Sequence, residues 1–328
     1  MGSDSKKCWV GFDLGGTKMM ATIFDPSFKI LASTRSKTKA QNGSDQVLER
    51  MAEAIREALA EAGVKPEQLG GIGVGCPGPL DLDRGVILTA PNLGWKNVAI
   101  KDSLEKAFKC STVIANDVDA GLFGEYRFGA AQKARCALGV FPGTGIGGGC
   151  VYEGHLIRGK VSSCMEIGHI IVQPGGRLCG CGQRGCLEAV ASRLAIAADA
   201  AMAAHRGEAP HLLQEAGTDI SAIKSGALAR AIKAGDKAVE KIVRSAARAL
   251  GVAIAGVVNL LAPDVVVLGG GLVEAMADLY VDEVRNAIDE NAMKTFSKGL
   301  KVVPAQLGDD ATVRGAAALA EEAAASGK

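Results

Sequence analysis

The sequence has few aromatic residues and almost no net charge. Aromatic side chains make up 4% of the 328 residues, and 37 basic against 36 acidic side chains leave a formal net charge of +1. Proteins that bind nucleic acid or anionic membranes usually carry a basic stripe interleaved with aromatic residues, which this sequence lacks. We therefore expect no nucleic acid and no membrane surface as partners, and a core built mainly from Ala, Val, Ile and Leu.

Long apolar runs are also missing. The most apolar segment, residues 251–270, is interrupted by Asn259, Pro263 and Asp264, which argues against a membrane span. The N-terminal stretch MGSDSKKCWV has no apolar run long enough for a signal peptide. Nine cysteines form an odd set, and reduced thiols plus one metal site in a cytoplasmic protein are the simplest account. The length predicts roughly two domains.

Glycine, in contrast, is abundant and clustered. The chain has 43 glycines among 328 residues, well above the usual share of about 7%. They gather at residues 15–16, 70–78, 143–149, 175–185 and 269–271. Clusters of this kind are typical of functional loops on a rigid scaffold rather than of low-complexity sequence.

The segment 166–188, EIGHIIVQPGGRLCGCGQRGCLE, has the composition of a metal site. His169, Cys179, Cys181 and Cys186 supply the three thiols and one imidazole of a closed tetrahedral zinc site. Such a site leaves no open position, so we predict that zinc is structural and fixes the flanking Glu166 and Glu188 as a platform for a small polar ligand. The alternative is three buried cysteines and an unrelated histidine.

Two strand–glycine–strand units suggest a duplicated architecture. Strands over 8–14, 19–25 and 29–34 predict an antiparallel meander with Asp13 and the glycines at its first turn, where backbone can approach a phosphate. An ordinary hairpin with a surface aspartate is the alternative. Strands over 135–141 and 150–152 enclose a second glycine loop, 143–149. We expect the two loops to hold one ligand between two domains.

The second loop also satisfies the spacing G-x-G-x-x-G of dinucleotide-binding proteins. That motif requires a helix directly after the glycines, whereas here Cys-Val-Tyr-Glu-Gly follows, which predicts a hairpin. We therefore reject the dinucleotide interpretation in favour of a phosphate-binding hairpin loop.

Two further strands end in residues suited to ligand binding. A strand over 111–115 delivers Asn116 and Asp117 ahead of a helix over 118–126, and ligand groups collect at such strand ends. The alternative is a helix cap. An apolar strand over 265–268 runs into Gly269–Gly271, where a nucleotide base or sugar can lie against bare backbone, with close helix–sheet packing as the alternative. Other helices are predicted over 44–62, capped by Ser44, and over 187–204, 236–261, 272–291 and 311–325.

Together these motifs resemble the ROK family (repressors, open reading frames and sugar kinases) of the hexokinase–actin superfamily. The resemblance spans nearly the whole chain through DLGGTK at 13–18, PGP at 77–79, NLGW at 92–95, ND at 116–117, FPGTGIGGG at 141–149, EIGH at 166–169, CGCGQRGCLE at 179–188 and LGGG at 268–271. It implies an α/β, two-lobed actin/hexokinase-like (RNase H-like) fold. Its smaller lobe would comprise residues 1–116 and 312–328, and its larger lobe residues 117–311.

The resemblance also implies residue roles. Asp117 is the expected base that takes the proton from the 6-hydroxyl of a hexose, and zinc-bound His169 faces the sugar through its other ring nitrogen. The expected sugar-binding residues are Pro77, Gly78, Asn92, Asn116, Asp117, Glu166, His169 and Glu188. The expected ATP-binding residues are Asp13, Gly15, Gly16, Thr17, Lys18, Gly143, Thr144, Gly145, Gly147, Gly269, Gly270 and Gly271, with Mg²⁺ near Asp13 and structural zinc on His169, Cys179, Cys181 and Cys186.

The resemblance implies an ATP-dependent hexokinase, most similar to glucokinases, whose lobes close on the sugar. The family usually has Ala-Gly before the EIGH segment, whereas this sequence has Cys164-Met165. A methionine at this position would narrow the sugar pocket. Kinases of N-acetylated amino sugars or of fructose are therefore alternatives. The acidic Asp119 is similar to the residue found in relatives that use polyphosphate. Those relatives generally lack the zinc motif, so ATP is the expected donor. A repressor needs a DNA-binding domain, for which twelve residues before Asp13 are too few; a silent sugar sensor is the third option. The family favours homodimers or homotetramers.

Overall fold

A computed structural model describes residues 7–90, 93–160 and 164–326, and the predicted sugar contact Asn92 lies outside this set. The chain forms a mixed α/β fold, as predicted, in two compact units. The first comprises Met1–Gln132, His155–Cys164 and Asp309–Lys328, and the second comprises Lys133–Gly154 and Met165–Gly308.

The part of the first unit that precedes Gln132 contains eight strands and three helices. They are β1 (Cys8–Leu14), β2 (Lys18–Phe24), β3 (Ile30–Lys37), α1 (Ser44–Ala62), β4 (Leu69–Cys76), β5 (Leu80–Asp81), β6 (Val86–Ala90), β7 (Trp95–Ala99), α2 (Ile100–Phe108), β8 (Thr112–Asn116) and α3 (Asp117–Phe128). The main sheet has the order β3-β2-β1-β4-β8, and β5-β6-β7 form a separate small sheet. The predicted antiparallel meander is confirmed, because β2 pairs antiparallel with both β1 and β3.

The remaining elements follow in chain order. They are β9 (Cys136–Pro142), β10 (Ile146–Tyr152), β11 (His155–Leu156), α4 (Glu188–Ala191), α5 (Arg193–His205), α6 (Pro210–Ala216), α7 (Ser225–Ala234), α8 (Lys237–Leu261), β12 (Val265–Leu268), α9 (Gly271–Ala275), α10 (Ala277–Asn291), α11 (Lys294–Ser297), β13 (Lys301–Pro304) and α12 (Ala311–Ala325). The second unit's strands run β10-β9-β12-β13, an antiparallel hairpin followed by two parallel strands. The first sheet repeats this arrangement in β2-β1-β4-β8, which confirms the duplicated architecture.

Three predicted helices differ in detail. The helix expected over 187–204 is broken at Ser192, whose Oγ accepts the N–H of Ala195 at 3.3 Å and caps α5. The helix expected over 272–291 is divided at Met276 into α9 and α10. Helix α1 has Gly43 rather than Ser44 at its N-cap position and has no side-chain cap there. In the first two cases the apolar pattern continues through the break, so it gives no signal of the boundary.

Helix α8 forms the centre of the second unit's core. It packs against α5 and α10, and its buried face includes Val243, Leu250 and Ile254. Among the described residues it is the one helix long and apolar enough to cross a membrane, with 56% of its most apolar 18-residue window buried inside the structure. Core helices of this length meet the same criterion, so the finding is weak support for a membrane span.

The C-terminal helix α12 belongs to the first unit and packs against β1, β4 and α3. The predicted lobe boundary between residues 116 and 117 would assign α3 to the larger lobe. Helix α3 packs against α12 and belongs to the first compact unit. The close packing depends on glycines: an ideal Cβ on Gly11 would lie 1.9 Å from the carbonyl oxygen of Val313, and one on Gly73 would lie 1.8 Å from that of Ala316. That the two lobes close on a bound sugar stays a prediction.

Gly73→Ala is expected to destabilise the protein by about 3 kcal/mol or more, because the new methyl group would overlap the backbone of α12. Gly256→Ala is the matched control: Gly256 is exposed on α8, a Cβ there meets nothing within 4 Å, and the exchange should stabilise the helix by up to about 1 kcal/mol. Urea denaturation followed by circular dichroism measures both. Equal stabilities of the two variants would contradict the close packing.

Candidate active site and metal centre

Strand register brings several predicted site residues to one edge of the first sheet. Asp13 on β1 lies opposite Gly75 on β4, and Cys76 lies opposite Asn116 on β8, with all three strands parallel. Asp117 follows as the first residue of α3. The side chains at the carboxyl ends of β1, β4 and β8 therefore collect at the same edge, where α/β sheets usually bind ligands.

The Asn116-Asp117 pair shows that the cap interpretation holds for its first member. Asn116 Oδ1 accepts the N–H groups of Val118 at 2.9 Å and of Asp119 at 3.4 Å, so it caps α3. The cap uses only the carbonyl oxygen. The side-chain amide of Asn116 also donates to the Asp117 carboxylate, which leaves one amide hydrogen for a ligand. Asp117 Oδ1 also accepts the Val118 N–H, at 3.0 Å, which fixes the carboxyl group at the helix N-terminus.

The acidic groups at this edge disfavour each other's charge. Burial first, and then the negative charges of Asp117 and Asp309, raise the pKa of Asp13 from 3.8 to about 6, while Arg35 opposes them. Burial also raises the pKa of Asp117. The pKa of the buried Cys76 thiol lies well above its ordinary value, through burial first and then through both carboxylates. A carboxyl group of raised pKa in such a cluster is suited to accept a proton or to bind a cation.

Asp13→Asn is expected to stabilise the ligand-free protein at pH 8 by up to about 3 kcal/mol. The folded state holds a proton on Asp13 up to a pKa of about 6, whereas the unfolded chain loses it near 3.8, so the free energy of unfolding falls as the pH rises through this window. The asparagine variant lacks this loss, and the difference should vanish near pH 3. Chemical denaturation at both pH values measures it, with Asp102→Asn, an exposed aspartate at the start of α2, as the control.

The first glycine loop is a tight turn fixed by a residue that lies outside the DLGGTK motif. The N–H of Gly15 donates to the carbonyl of Lys18 at 3.0 Å. Thr38, which is fully buried, donates its hydroxyl to the Gly15 carbonyl at 2.7 Å and its N–H to the Thr17 carbonyl at 2.9 Å. Thr17 and Lys18 are exposed, so both can reach a ligand. Gly16 lies in the same turn, between β1 and β2. Thr38 gave no sequence signal because it lies outside the turn.

The other residues predicted near this edge are Pro77 and Gly78. They follow β4 directly, immediately after Cys76, and Gly78 is half-buried against Leu80. Their position is the one that the PGP motif predicts, beside the strand end that carries Asn116 on the neighbouring strand.

The second glycine loop is a hairpin turn, which confirms the rejection of the dinucleotide interpretation. Strand β10 begins at Ile146, where a dinucleotide fold would have a helix. The N–H of Gly143 donates to the Gly145 carbonyl at 2.8 Å and closes the turn. Thr144 at its tip is exposed, and Gly147 follows on β10 opposite Phe141.

Glu188 joins this loop to the metal segment. Its Oε2 accepts the Ile146 N–H at 2.9 Å, and its Oε1 lies 3.7 Å from Cys179 Sγ. An ideal Cβ on Gly145 would lie 2.4 Å from Oε2, so glycine is required for this contact. The sequence predicts Glu188 as a sugar ligand and gives no hint of its bond to a residue 42 positions earlier.

The EIGH segment crosses β10 at very short range. An ideal Cβ on Gly168 would lie 2.3 Å from the Ile146 carbonyl oxygen, and one on Gly148 would lie 2.6 Å from that of Met165. Glu166, beside Met165, is exposed at this crossing. The side chain of Met165 is half-buried and packs against the core of the second unit, which is an ordinary packing role. That it narrows a sugar pocket stays a prediction.

His169, Cys179, Cys181 and Cys186 come together, with one ligand atom from each lying within 4.8 Å of all the others. Cys181 Sγ lies 3.6 Å from Cys186 Sγ, and Cys179 Sγ lies 3.7 Å from His169 Nδ1. Tetrahedral ligands with Zn–S bonds of about 2.3 Å are about 3.8 Å apart, so the donors fit zinc in type, number and spacing. Nδ1 of His169 faces the thiols, which leaves Nε2 for another partner.

The glycines after β12 serve close packing, the alternative that the sequence left open. An ideal Cβ on Gly269 would lie 2.5 Å from the Phe141 ring, and one on Gly270, whose φ is +79°, would lie 2.8 Å from the Pro142 carbonyl oxygen. Gly271 begins α9. This packing brings bare backbone beside the start of the second glycine loop, and a nucleotide contact at Gly269–Gly271 stays a prediction.

The chain is similar to known proteins over nearly its full length. The profile of the ROK family matches residues 9–323. The glucokinase of Thermotoga maritima is 33% identical over 314 residues, which cover 95% of this chain and 97% of that protein. The N-acetylglucosamine repressor of Escherichia coli is 30% identical over 319 residues, 97% of this chain and 76% of the repressor.

A solved structure shows the same fold. The ROK family glucokinase of Streptomyces griseus, in complex with glucose and AMPPNP, is 31% identical and superimposes with a TM-score of 0.79 over 96% of this chain and 99% of that one. The family profile over residues 9–323, the full-length relative and the shared fold agree with one another: this chain is a member of the ROK family.

Proposed function

We propose that this chain transfers the terminal phosphate of ATP to the 6-hydroxyl of glucose, giving glucose 6-phosphate and ADP. The observation that carries the proposal is the carboxyl group of Asp117, which burial gives a raised pKa and which lies at the ligand-binding edge of a sheet beside Asp13. The similarity to glucokinases over nearly the whole chain supports it.

In this proposal Asp117 accepts the proton of the 6-hydroxyl as its oxygen attacks the γ-phosphorus of ATP. A raised pKa makes a carboxylate a stronger base, provided that the group is ionised at the working pH. The remaining sugar hydroxyls are held by side chains and backbone of the family motifs, namely Pro77, Gly78, Asn92, Asn116, Glu166, His169 and Glu188. The Nδ2 amide of Asn116 is suited to this role because one of its two hydrogens remains after the bond to Asp117, and the Nε2 of His169 is suited because the metal cluster uses Nδ1.

Phosphoryl transfer depends mainly on positioning and on neutralising charge. We assign the phosphates of ATP to the two glycine loops, Gly15–Lys18 and Gly143–Gly147, and the adenosine to Gly269–Gly271. Mg²⁺, bound with the nucleotide near Asp13, would supply positive charge to the phosphates. Asp13 is a suitable neighbour, since burial and the negative charges of Asp117 and Asp309 disfavour its ionised form, and a cation would offset them. Zinc on His169 and the three cysteines is structural.

The protein is further proposed to act in the cytoplasm as a homodimer or homotetramer, with a hexose and ATP as its partners. A kinase of N-acetylhexosamines or of fructose has the same chemistry with a different acceptor. Asp119 gives no support for polyphosphate as the phosphoryl donor, because its side chain is buried within α3.

The test is an ADP-coupled assay with glucose, mannose, fructose, N-acetylglucosamine and N-acetylmannosamine, each with ATP or polyphosphate. We expect the highest kcat/KM with glucose and ATP. A clear preference for an N-acetylated sugar would keep the mechanism and change the substrate. Folded, zinc-loaded protein without turnover on any of these sugars would overturn the kinase proposal in favour of a sugar sensor.

A further inference from the structure

Arg193 lies against the second glycine loop, although no motif in the sequence draws attention to it. It is the first residue of α5, and its backbone N–H donates to the Gly143 carbonyl at 2.8 Å. Its Nη2 donates to Thr144 Oγ1 at 3.1 Å, and its Nη1 lies 3.5 Å from the carbonyl oxygen of Ile223. Both ends of this residue therefore contact the tip of the loop.

The guanidinium group has no acidic partner in the ranges 7–90, 93–160 and 164–326. Other arginines of the same region do: Arg177 pairs with Asp199 at 2.6 Å, and Arg206, just after α5, pairs with Glu208 at 3.1 Å. The nearby carboxylate of Glu188 accepts the Ile146 N–H instead. The loop thus carries one positive charge that no carboxylate of the described chain neutralises.

The group also retains hydrogen-bonding capacity. A guanidinium has five N–H donors, of which the contacts with Thr144 and Ile223 use two. Its planar fork matches two oxygens of a phosphate, and charge-assisted bonds of this kind are about twice as strong as neutral ones. Thr144 is exposed, so the group that it holds lies at the solvent side of the loop, where a ligand can approach.

We propose that Arg193 binds the terminal phosphates of the phosphoryl donor at the Gly143–Gly147 loop. This inference rests on the proposed kinase function and deepens it, because it names the side chain that supplies charge to a loop otherwise made of backbone and one hydroxyl. Arg193 would act on the donor and not on the sugar.

Arg193→Ala is expected to raise KM for ATP about ten- to a hundred-fold, with KM for glucose changed less than about two-fold. Arg193→Lys should recover part of the loss, because it restores the charge without the fork, and Arg193→Gln should not. Arg206→Ala is the matched control: it removes one arginine charge at the opposite end of α5, from a pair with Glu208, and should leave both KM values unchanged.

Calorimetric titrations with tripolyphosphate, MgADP and adenosine separate phosphate binding from a structural role. Arg193→Ala should weaken tripolyphosphate and MgADP by a similar factor and leave adenosine unaffected. An equal loss for adenosine, an unchanged KM for ATP, or wild-type protein that does not bind tripolyphosphate would each overturn the inference. If wild-type protein binds tripolyphosphate through Arg193 but phosphorylates no sugar, the proposed function fails while this assignment stands.

Discussion

Asp117→Asn is expected to lower kcat for glucose phosphorylation by a factor of about 10² to 10⁴, the usual contribution of a general base. Asparagine has nearly the same shape and its Oδ1 can still accept the Val118 N–H, so the cap of α3 and the position of Asn116 should persist. The amide cannot accept the proton of the sugar hydroxyl. The KM for glucose should change little, because the lost interaction forms mainly in the transition state.

Steady-state kinetics and thermal denaturation of the same samples test this expectation. Removing a buried negative charge beside Asp13 should leave the melting temperature unchanged or raise it, so a fall in kcat would not reflect unfolding. Asp45→Asn is the matched control, because Asp45 also lies in the first turn of a helix, α1, but is exposed. If kcat of the Asp117 variant stays within about ten-fold of wild type, Asp117 is not the base.

Cys186→Ser is expected to have the second large effect, the loss of metal and of order in the segment that follows His169. Between residues 171 and 186 the segment has only two isolated β-bridges, Ile171 with Cys186 and Leu178 with Arg184. Most of its side chains are exposed, whereas Cys179 and Cys186 are buried. With so little core of its own, the segment depends on the metal, and structural zinc typically contributes about 10 kcal/mol or more to the folding of small zinc domains.

Three measurements follow the loss of order. Bound zinc should fall from one per chain to none, trypsin should cut rapidly after Arg177 or Arg184, and KM for glucose should rise about a hundred-fold or more as Glu166 and His169 lose their support. Cys110→Ser, at a half-buried thiol far from the cluster in sequence, should retain zinc and resist trypsin. A Cys186 variant that keeps the wild-type tryptic pattern and KM would show that the metal is dispensable.

Sequence reasoning succeeded where the signal is local. The two strand–glycine–strand units, the strand over 265–268 and the helices over 44–62 and 311–325 have clear periodicity bounded by glycine or proline, and the structure has them within a few residues. The metal set was equally accessible, since its last three ligands lie within eight residues of one another. Patterns of this kind need no knowledge of distant contacts.

The parts that were missed depend on contacts between distant residues. The bond from Ile146 to Glu188 joins residues 42 positions apart, and that from Arg193 to Thr144 joins residues 49 apart. Thr38 holds the first glycine loop from beyond a whole hairpin. The packing of the Met165 side chain against the core of the second unit, at a residue with φ +61°, also depends on distant contacts. No composition or spacing reveals such geometry.

The return of the chain to its first unit has a consequence for biosynthesis. Strands β1 and β4 lie in the first quarter of the sequence, yet the helix that covers Gly11 and Gly73 begins about 235 residues after β4 ends. At about 5 to 20 residues per second, β4 waits roughly 12 to 50 seconds for α12, and the second unit is synthesised during this interval. We expect the nascent first unit to remain a substrate of chaperones during this interval, and to resist protease only after α12 has been synthesised.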